Sequence, residues 1–175
     1  PKTYQLGWFS NYHTTISSAD DTISWSGNVV GFVDLSLAQS TSSSMIVRMI
    51  DDGNLDYYIH FNRKTDFNSG TNLGGDQVMV ASKNNGQGVE YGLSMLNNTL
   101  LPGENFTIED FGGKQTVIAF TSVSGSGDIA SITIQSQGDP SSSPSAFPSI
   151  SIHPSFAPSY NPSISQVPSS SPSFV

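Results

Sequence analysis

The sequence predicts a mainly β fold, a small antiparallel sandwich or curled sheet, followed by a disordered Ser/Pro-rich tail. Three observations predict it. Short runs rich in Val, Ile, Phe, Tyr and Thr recur between clusters of Gly, Asn, Asp and Ser, which is the pattern of consecutive strands and turns. Helical periodicity is nowhere sustained. The composition breaks at Asp139: eight of the ten prolines and 14 serines fall in the last 37 residues. Residues 1–138 therefore form one modest domain, and 139–175 a stalk that cannot bury a core.

Taken in order, Lys2 to Phe9 is expected to end a helix, with Gly7 as its stop and Trp8 and Phe9 packing on a sheet. Weaker strand signals follow at Thr14 to Ser17 and Thr22 to Trp25, and a stronger one at Val29 to Leu35. Met45 to Ile50 and Leu55 to Asn62 alternate on either side of Asp51, Asp52, Gly53 and Asn54, so an antiparallel hairpin is expected there. In its second arm Leu55, Tyr57, Ile59 and Phe61 share the core face, while Asp56, Tyr58, His60 and Asn62 share the outer one. Gln77 to Ser82 is a further strand, and Val89 to Leu93 and Asn105 to Ile108 are weaker candidates. Gln115 to Val123 and Ile129 to Ile134 form a second hairpin that buries Ala130, Ile132 and Ile134 and leaves Ser131, Thr133 and Gln135 to water.

In the tail, Pro140, Pro144, Pro148, Pro154, Pro158, Pro162, Pro168 and Pro172 recur at short spacings. Each ring fixes φ and biases its predecessor against the helical region, so the segment is expected to be extended, largely polyproline II. Its single hydrophobes are too sparse to pack. Ser with Pro is also the composition of stalks that carry O-linked sugar.

Fourteen acidic residues against six Lys and Arg give a net charge of −8. Six scattered cations make no basic footprint for phosphate, so no nucleic-acid partner is expected. No apolar stretch is long enough to span a bilayer as a helix, and no signal peptide is visible. Pro1 in place of Met suggests a cut from a longer chain. The lack of cysteine excludes disulfides and thiolate chemistry within these residues.

The search for chemistry yields little. Catalytic zinc needs clustered ligands, commonly two His one helical turn apart. Only His13, His60 and His153 are present, and none is near another in sequence. No catalytic, cofactor-binding or metal residue is therefore assigned, and His13 and His60 read as ordinary exposed polar residues. No Gly-x-Ser-x-Gly elbow accompanies the serines. Asp51, Asp52, Asn54 and Asp56 surround Gly53 with oxygens, yet without the length or closing Glu of a calcium loop they read as a turn of solvated acids. Gly74-Gly75 and Gly112-Gly113 lack the Lys-Ser/Thr ending of a phosphate loop and read as turns. Trp8, Trp25, Tyr12, Tyr57, Tyr58 and Tyr91 are expected mostly in the core, a sugar-stacking platform being the alternative. Asn97-Asn98-Thr99 and Asn105-Phe106-Thr107 are acceptor triplets that make Asn97 and Asn105 candidate N-glycosylation sites. With the Ser/Pro tail they point to an extracellular or cell-surface setting.

Two stretches reach further: Lys2-Thr-Tyr-Gln-Leu-Gly-Trp-Phe-Ser10, and Asp56-Tyr-Tyr-Ile-His-Phe-Asn-Arg-Lys-Thr-Asp-Phe-Asn-Ser-Gly70 running on to Gly75-Asp-Gln-Val78. Together with Asn105-Phe-Thr-Ile-Glu-Asp-Phe-Gly-Gly113 they resemble, in order, the region downstream of the catalytic motif in gametolysin-like zinc metallopeptidases. The tail is similar to low-complexity extensions of diatom surface proteins. In that family a His-Glu-x-x-His helix and a third His hold zinc, and the Glu activates the zinc-bound water. None of those residues maps onto this sequence. The resemblance therefore implies a non-catalytic C-terminal portion of a secreted metallopeptidase that cleaves matrix or cell-wall glycoprotein. Zinc and an upstream catalytic domain would belong to the parent protein, with wall glycoprotein as a further partner. The alternative is a binding or structural β-module on a flexible stalk, with no protease attached.

Overall fold

The computed structural model describes residues 2–51, 55–84 and 93–137. The chain divides into two units, Pro1–Ser142 and Ser143–Val175, and every described residue lies in the first. The expected stalk and nearly all of the expected Val89 to Leu93 strand fall outside the described residues.

The fold is mainly β. A short helix α1 (Lys2–Gln5) and a single helical turn (Ser10–Tyr12) lead into strands β1 (His13–Ser17) and β2 (Ser24–Val30). Helix α2 (Leu35–Thr41) precedes β3 (Ile46–Ile50) and β4 (Leu55–Asn62). After these come β5 (Gln77–Asn84), β6 (Ser94–Leu100), β7 (Asn105–Phe111), β8 (Lys114–Val123) and β9 (Ile129–Ser136). They make a five-stranded sheet in the order β1-β3-β4-β5-β6 and a four-stranded sheet in the order β2-β9-β8-β7.

The two sheets share one core. Val47, Met49, Ile59, Phe61, Val78 and Val80 from the first meet Ile108, Phe111, Ile118, Phe120, Ile132 and Ile134 from the second. The residues alternate along each strand, so one face of each sheet turns inward. Each fully buried Phe or Ile stabilises the fold by roughly 1.5–3 kcal/mol, and Phe61, Phe111 and Phe120 are the largest of them. Trp25 packs at the rim of this core, and its indole lies across Gly27, where a Cβ would sit 2.4 Å from the ring.

Both expected hairpins form. The β3–β4 pair is antiparallel, with Val47 opposite Ile59, and the β8–β9 pair buries Ala130, Ile132 and Ile134. Three features differ from the sequence expectation. The Thr22 to Trp25 and Val29 to Leu35 signals merge into one strand, β2, that ends at Val30, and Leu35–Thr41 is helical, burying Ala38 against Val30 and Met45. Seven residues are too few to show helical periodicity, and Leu35 and Leu37 imitate strand alternation. The sheet is also not wholly antiparallel, because β1 runs parallel to β3. Finally, β6 is a strand with no strong alternation, its exposed residues being largely apolar or amide.

At the N-terminus α1 ends as expected. Gly7 takes φ +70°, its N–H donates to the Tyr4 carbonyl at 2.9 Å and that of Trp8 donates to Thr3 at 3.1 Å, the paired bonds of a helix closed by a left-handed glycine. Phe9 packs against the cluster of Val30, Ala38 and Met45 and stacks on Phe32 in the β2–α2 connection. Trp8 does not: it is 60% exposed. Among the described residues no helix is long and apolar enough to cross a membrane.

Candidate functional site: a charged cleft at the β4–β5 loop

The loop leaving β4 begins Arg63-Lys64, a third of the chain's six cations. It is built by its own amides. Asn68 donates to the Asn62 side chain at 2.8 Å and to the Arg63 carbonyl at 2.7 Å, while Asn62 donates to the carbonyls of Leu73 and Gly74, both at 3.0 Å. Asp76 closes the loop by accepting from the Lys64 N–H at 2.9 Å and donating its own N–H to the Asn62 carbonyl at 2.8 Å. Asp66 and Asp76 hold left-handed backbone, φ +46° and +57°, which Asp tolerates better than most residues. Gly74 shares that conformation. Gly75 is bare for a different reason: a Cβ there would meet the Lys64 side chain at 2.8 Å.

Arg63 reaches back across the fold to Asp34, at the start of α2, with Nη1 to Oδ1 at 2.7 Å. Gly31 makes that approach possible, since a Cβ would stand 2.8 Å from Arg63 Cβ and 3.2 Å from Asp34 Oδ2. Here the chain passes from one sheet to the other, with Gly31 bridging Phe61 in parallel. Asp34 Oδ2 is buried without a hydrogen-bond partner among the described residues. Burial raises the Asp34 pKa, and Arg63 only partly opposes the shift.

Across from the loop lies the β8–β9 turn. Ser124 and Ser126 donate to Asp128, whose pKa their hydrogen bonds lower. Between turn and loop opens a cleft of about 450 Å³ lined by the polar Arg63, Lys64, Thr65, Asp76 and Ser126 together with Gly127 and the apolar Phe61 and Val123. Its guanidinium, ammonium, carboxylate and hydroxyl groups can donate to and accept from a polar ligand. None of the groups lining it is a histidine. Sequence reasoning missed this cleft; its one visible signal was the adjacent cation pair.

The residues weighed from sequence lie elsewhere. His13 Nε2 lies 2.9 Å from the Trp8 carbonyl, its ring stacks on Tyr4, and burial lowers its pKa. His60 is half-buried under Phe32, with ring centroids 5.4 Å apart, and burial lowers its pKa to about 4. The expectation of an exposed polar His60 is therefore corrected: the N-terminal segment and Phe32 cover the outer face of β4. His153 lies outside the described residues.

The outer face also buries Asp56 and Tyr58, each only 2% exposed. Arg48 donates to Asp56 Oδ2 from Nε at 3.1 Å and Nη2 at 2.5 Å, and from Nη1 to the Tyr4 hydroxyl at 3.2 Å. The Tyr4 ring lies 5.0 Å from the Arg48 guanidinium carbon. Asp51 is 3% exposed, and its Oδ2 has no partner among the described residues. The reading of Asp51 and Asp56 as solvated turn acids is thus corrected; Asp52, Gly53 and Asn54 lie outside the described residues. Tyr57 is a core residue and Tyr58 is buried on the outer face against Tyr4; Tyr12 and Trp25 pack beside the two clusters, and Tyr91 lies outside the described residues. Among the described residues these rings form no shared platform. Gly112-Gly113 is the expected turn, between β7 and β8, with both glycines left-handed. Asn97 and Asn105 are exposed, on β6 and β7.

Among the described residues no three His, Asp or Glu side chains gather to hold a metal ion. The two described histidines, His13 and His60, belong to no such group. Comparison with known proteins returned no match to a family model, to a curated protein or to a solved structure.

Proposed function

We propose that this chain is the non-catalytic β-sandwich portion of a secreted gametolysin-like zinc metallopeptidase, whose catalytic part cleaves matrix or cell-wall glycoprotein. One observation carries the reading. The longest stretch that carries the resemblance, Asp56 to Val78, is spent on architecture: Asn62, Asn68 and Asp76 knit the loop, Arg63 ties it to Asp34, and Asp56 neutralises Arg48. Polar residues that hold one another are engaged in structure rather than catalysis, which supports a portion whose chemistry lies elsewhere.

The coding sequence upstream of Pro1 tests this. A His-Glu-x-x-His-x-x-Gly-x-x-His segment is expected there, and a start codon or an unrelated domain refutes the kinship. Assay of the purified chain with casein and added zinc supplies the second arm. No turnover is expected, and chelator-sensitive cleavage refutes the non-catalytic assignment.

The cleft at Arg63 and Lys64 favours a second reading, a binding module for a polar wall component. Saturable binding of wall glycoprotein that Lys64→Ala weakens would support it.

A further inference from the structure

The chain contains two Asn-x-Ser/Thr triplets whose middle residue is not proline, and both begin on strands that end their sheets. Asn97 belongs to β6, the last strand of the five-stranded sheet, and Asn105 to β7, the last of the four-stranded sheet. The Leu101–Glu104 turn joins the two strands, so both acceptors flank one side of the sandwich. Gly103 donates to the Phe120 carbonyl at 2.7 Å and anchors the turn.

A sheet edge presents unpaired backbone N–H and C=O groups and templates pairing with another chain unless something blunts it. On the far side the β2 edge is blunted by protein: Val30 donates to Ser44 and Ser44 to Asn28, each at 2.9 Å, and α2 packs beside them. The near side is not blunted that way among the described residues. β6 reads Ser-Met-Leu-Asn-Asn-Thr-Leu, with no charge and no proline, and leaves Met95 67% and Leu96 41% exposed. Its one protective feature is a β-bulge. Val80 pairs with Asn98 and Ala81 with Leu96, so Asn97 is the extra residue. The bulge leaves Asn97, which is exposed, without a residue opposite it on β5. Asn105 is exposed on the outer face of β7, while Phe106 and Ile108 turn to the core.

We infer that Asn97 and Asn105 carry N-linked glycans that cap the two neighbouring sheet edges and prevent edge-to-edge association. The co-reactant is a lipid-pyrophosphate-linked oligosaccharide. The Asn side-chain nitrogen forms a bond to the anomeric carbon as that carbon's bond to the pyrophosphate oxygen breaks. The lipid pyrophosphate leaves with the electron pair, an amide proton is lost to base, and nothing is oxidised or reduced. A bulky hydrated chain at the bulge then occupies the space that a pairing strand would need. The inference rests on export of the chain and is independent of protease kinship.

The full chain, directed through the secretory pathway of a eukaryotic host, provides the test. Enzymatic release of N-glycans is expected to leave Asp at positions 97 and 105 in peptide mass spectra, with one gel step lost in each of Asn97→Gln and Asn105→Gln. An unmodified Asn at either position overturns the assignment. Light scattering then reads the role. Glycosylated protein is expected to be monomeric, the deglycosylated protein to associate at unchanged circular dichroism, and Leu96→Lys to restore the monomer without sugar. Deglycosylated protein that stays monomeric, or association that Leu96→Lys leaves in place, overturns edge protection.

Discussion

Acid should destabilise this fold through His60. Burial beneath Phe32 lowers its pKa from 6.5 to about 4. Between those values the unfolded chain binds a proton that the folded chain refuses, so stability rises with pH. The contribution is fully present above pH 6.5, declines as pH falls, and is gone below about pH 4. At about 1.4 kcal/mol per unit, the difference amounts to about 3 kcal/mol, an upper bound because part of the ring meets water. Asp34 acts with the opposite sign: its raised pKa lets the folded state take up a proton first. Comparison with His60→Phe, which keeps the stack and removes the titration, cancels Asp34 and the other carboxylates. Urea unfolding at about pH 7 and about pH 4 should show the native protein losing up to about 3 kcal/mol more than the variant. Parallel pH profiles for the two proteins would refute the burial argument.

Three further outcomes follow from packing. Gly31→Ala forces a Cβ to 2.8 Å from Arg63 Cβ and should cost roughly 1–3 kcal/mol, read as a lowered Tm; an unchanged Tm means the corner yields freely. Asp56→Ala strands the Arg48 guanidinium and should cost roughly 3 kcal/mol in chemical denaturation, with Arg48→Met/Asp56→Leu recovering most of it. A double variant no more stable than the single one contradicts this account. Thr116→Val removes a fully buried hydroxyl that has no partner among the described residues, so denaturation should show a gain of about 1 kcal/mol, and a loss would reveal an unseen bond.

Legibility in the sequence varied with the range of the cause. The β4 residues Tyr57, Ile59 and Phe61 were assignable to the core because alternation is a property of adjacent residues. The stop at Gly7 was readable for the same reason. His60 and Asp56 were misjudged, since what covers them, Phe32, Tyr4 and Arg48, arrives from distant segments. The cleft was invisible too: Arg63 meets Asp34, 29 residues away, only after the chain crosses between sheets at Gly31. β6 escaped because an edge strand with a bulge has no second buried face to impose a regular pattern.

By itself the sequence determined that this chain is mainly β, where its two hairpins turn, and which face of each arm seeks the core. Those follow from the period of the backbone and from the conformations that Gly and Asn accept. Sheet order, the parallel β1–β3 pair, the covered outer face and the placement of Asn97 and Asn105 on two sheet edges were decided by tertiary structure. Each depends on which segments meet across long separations, and alternation marks a face as apolar without naming its partner.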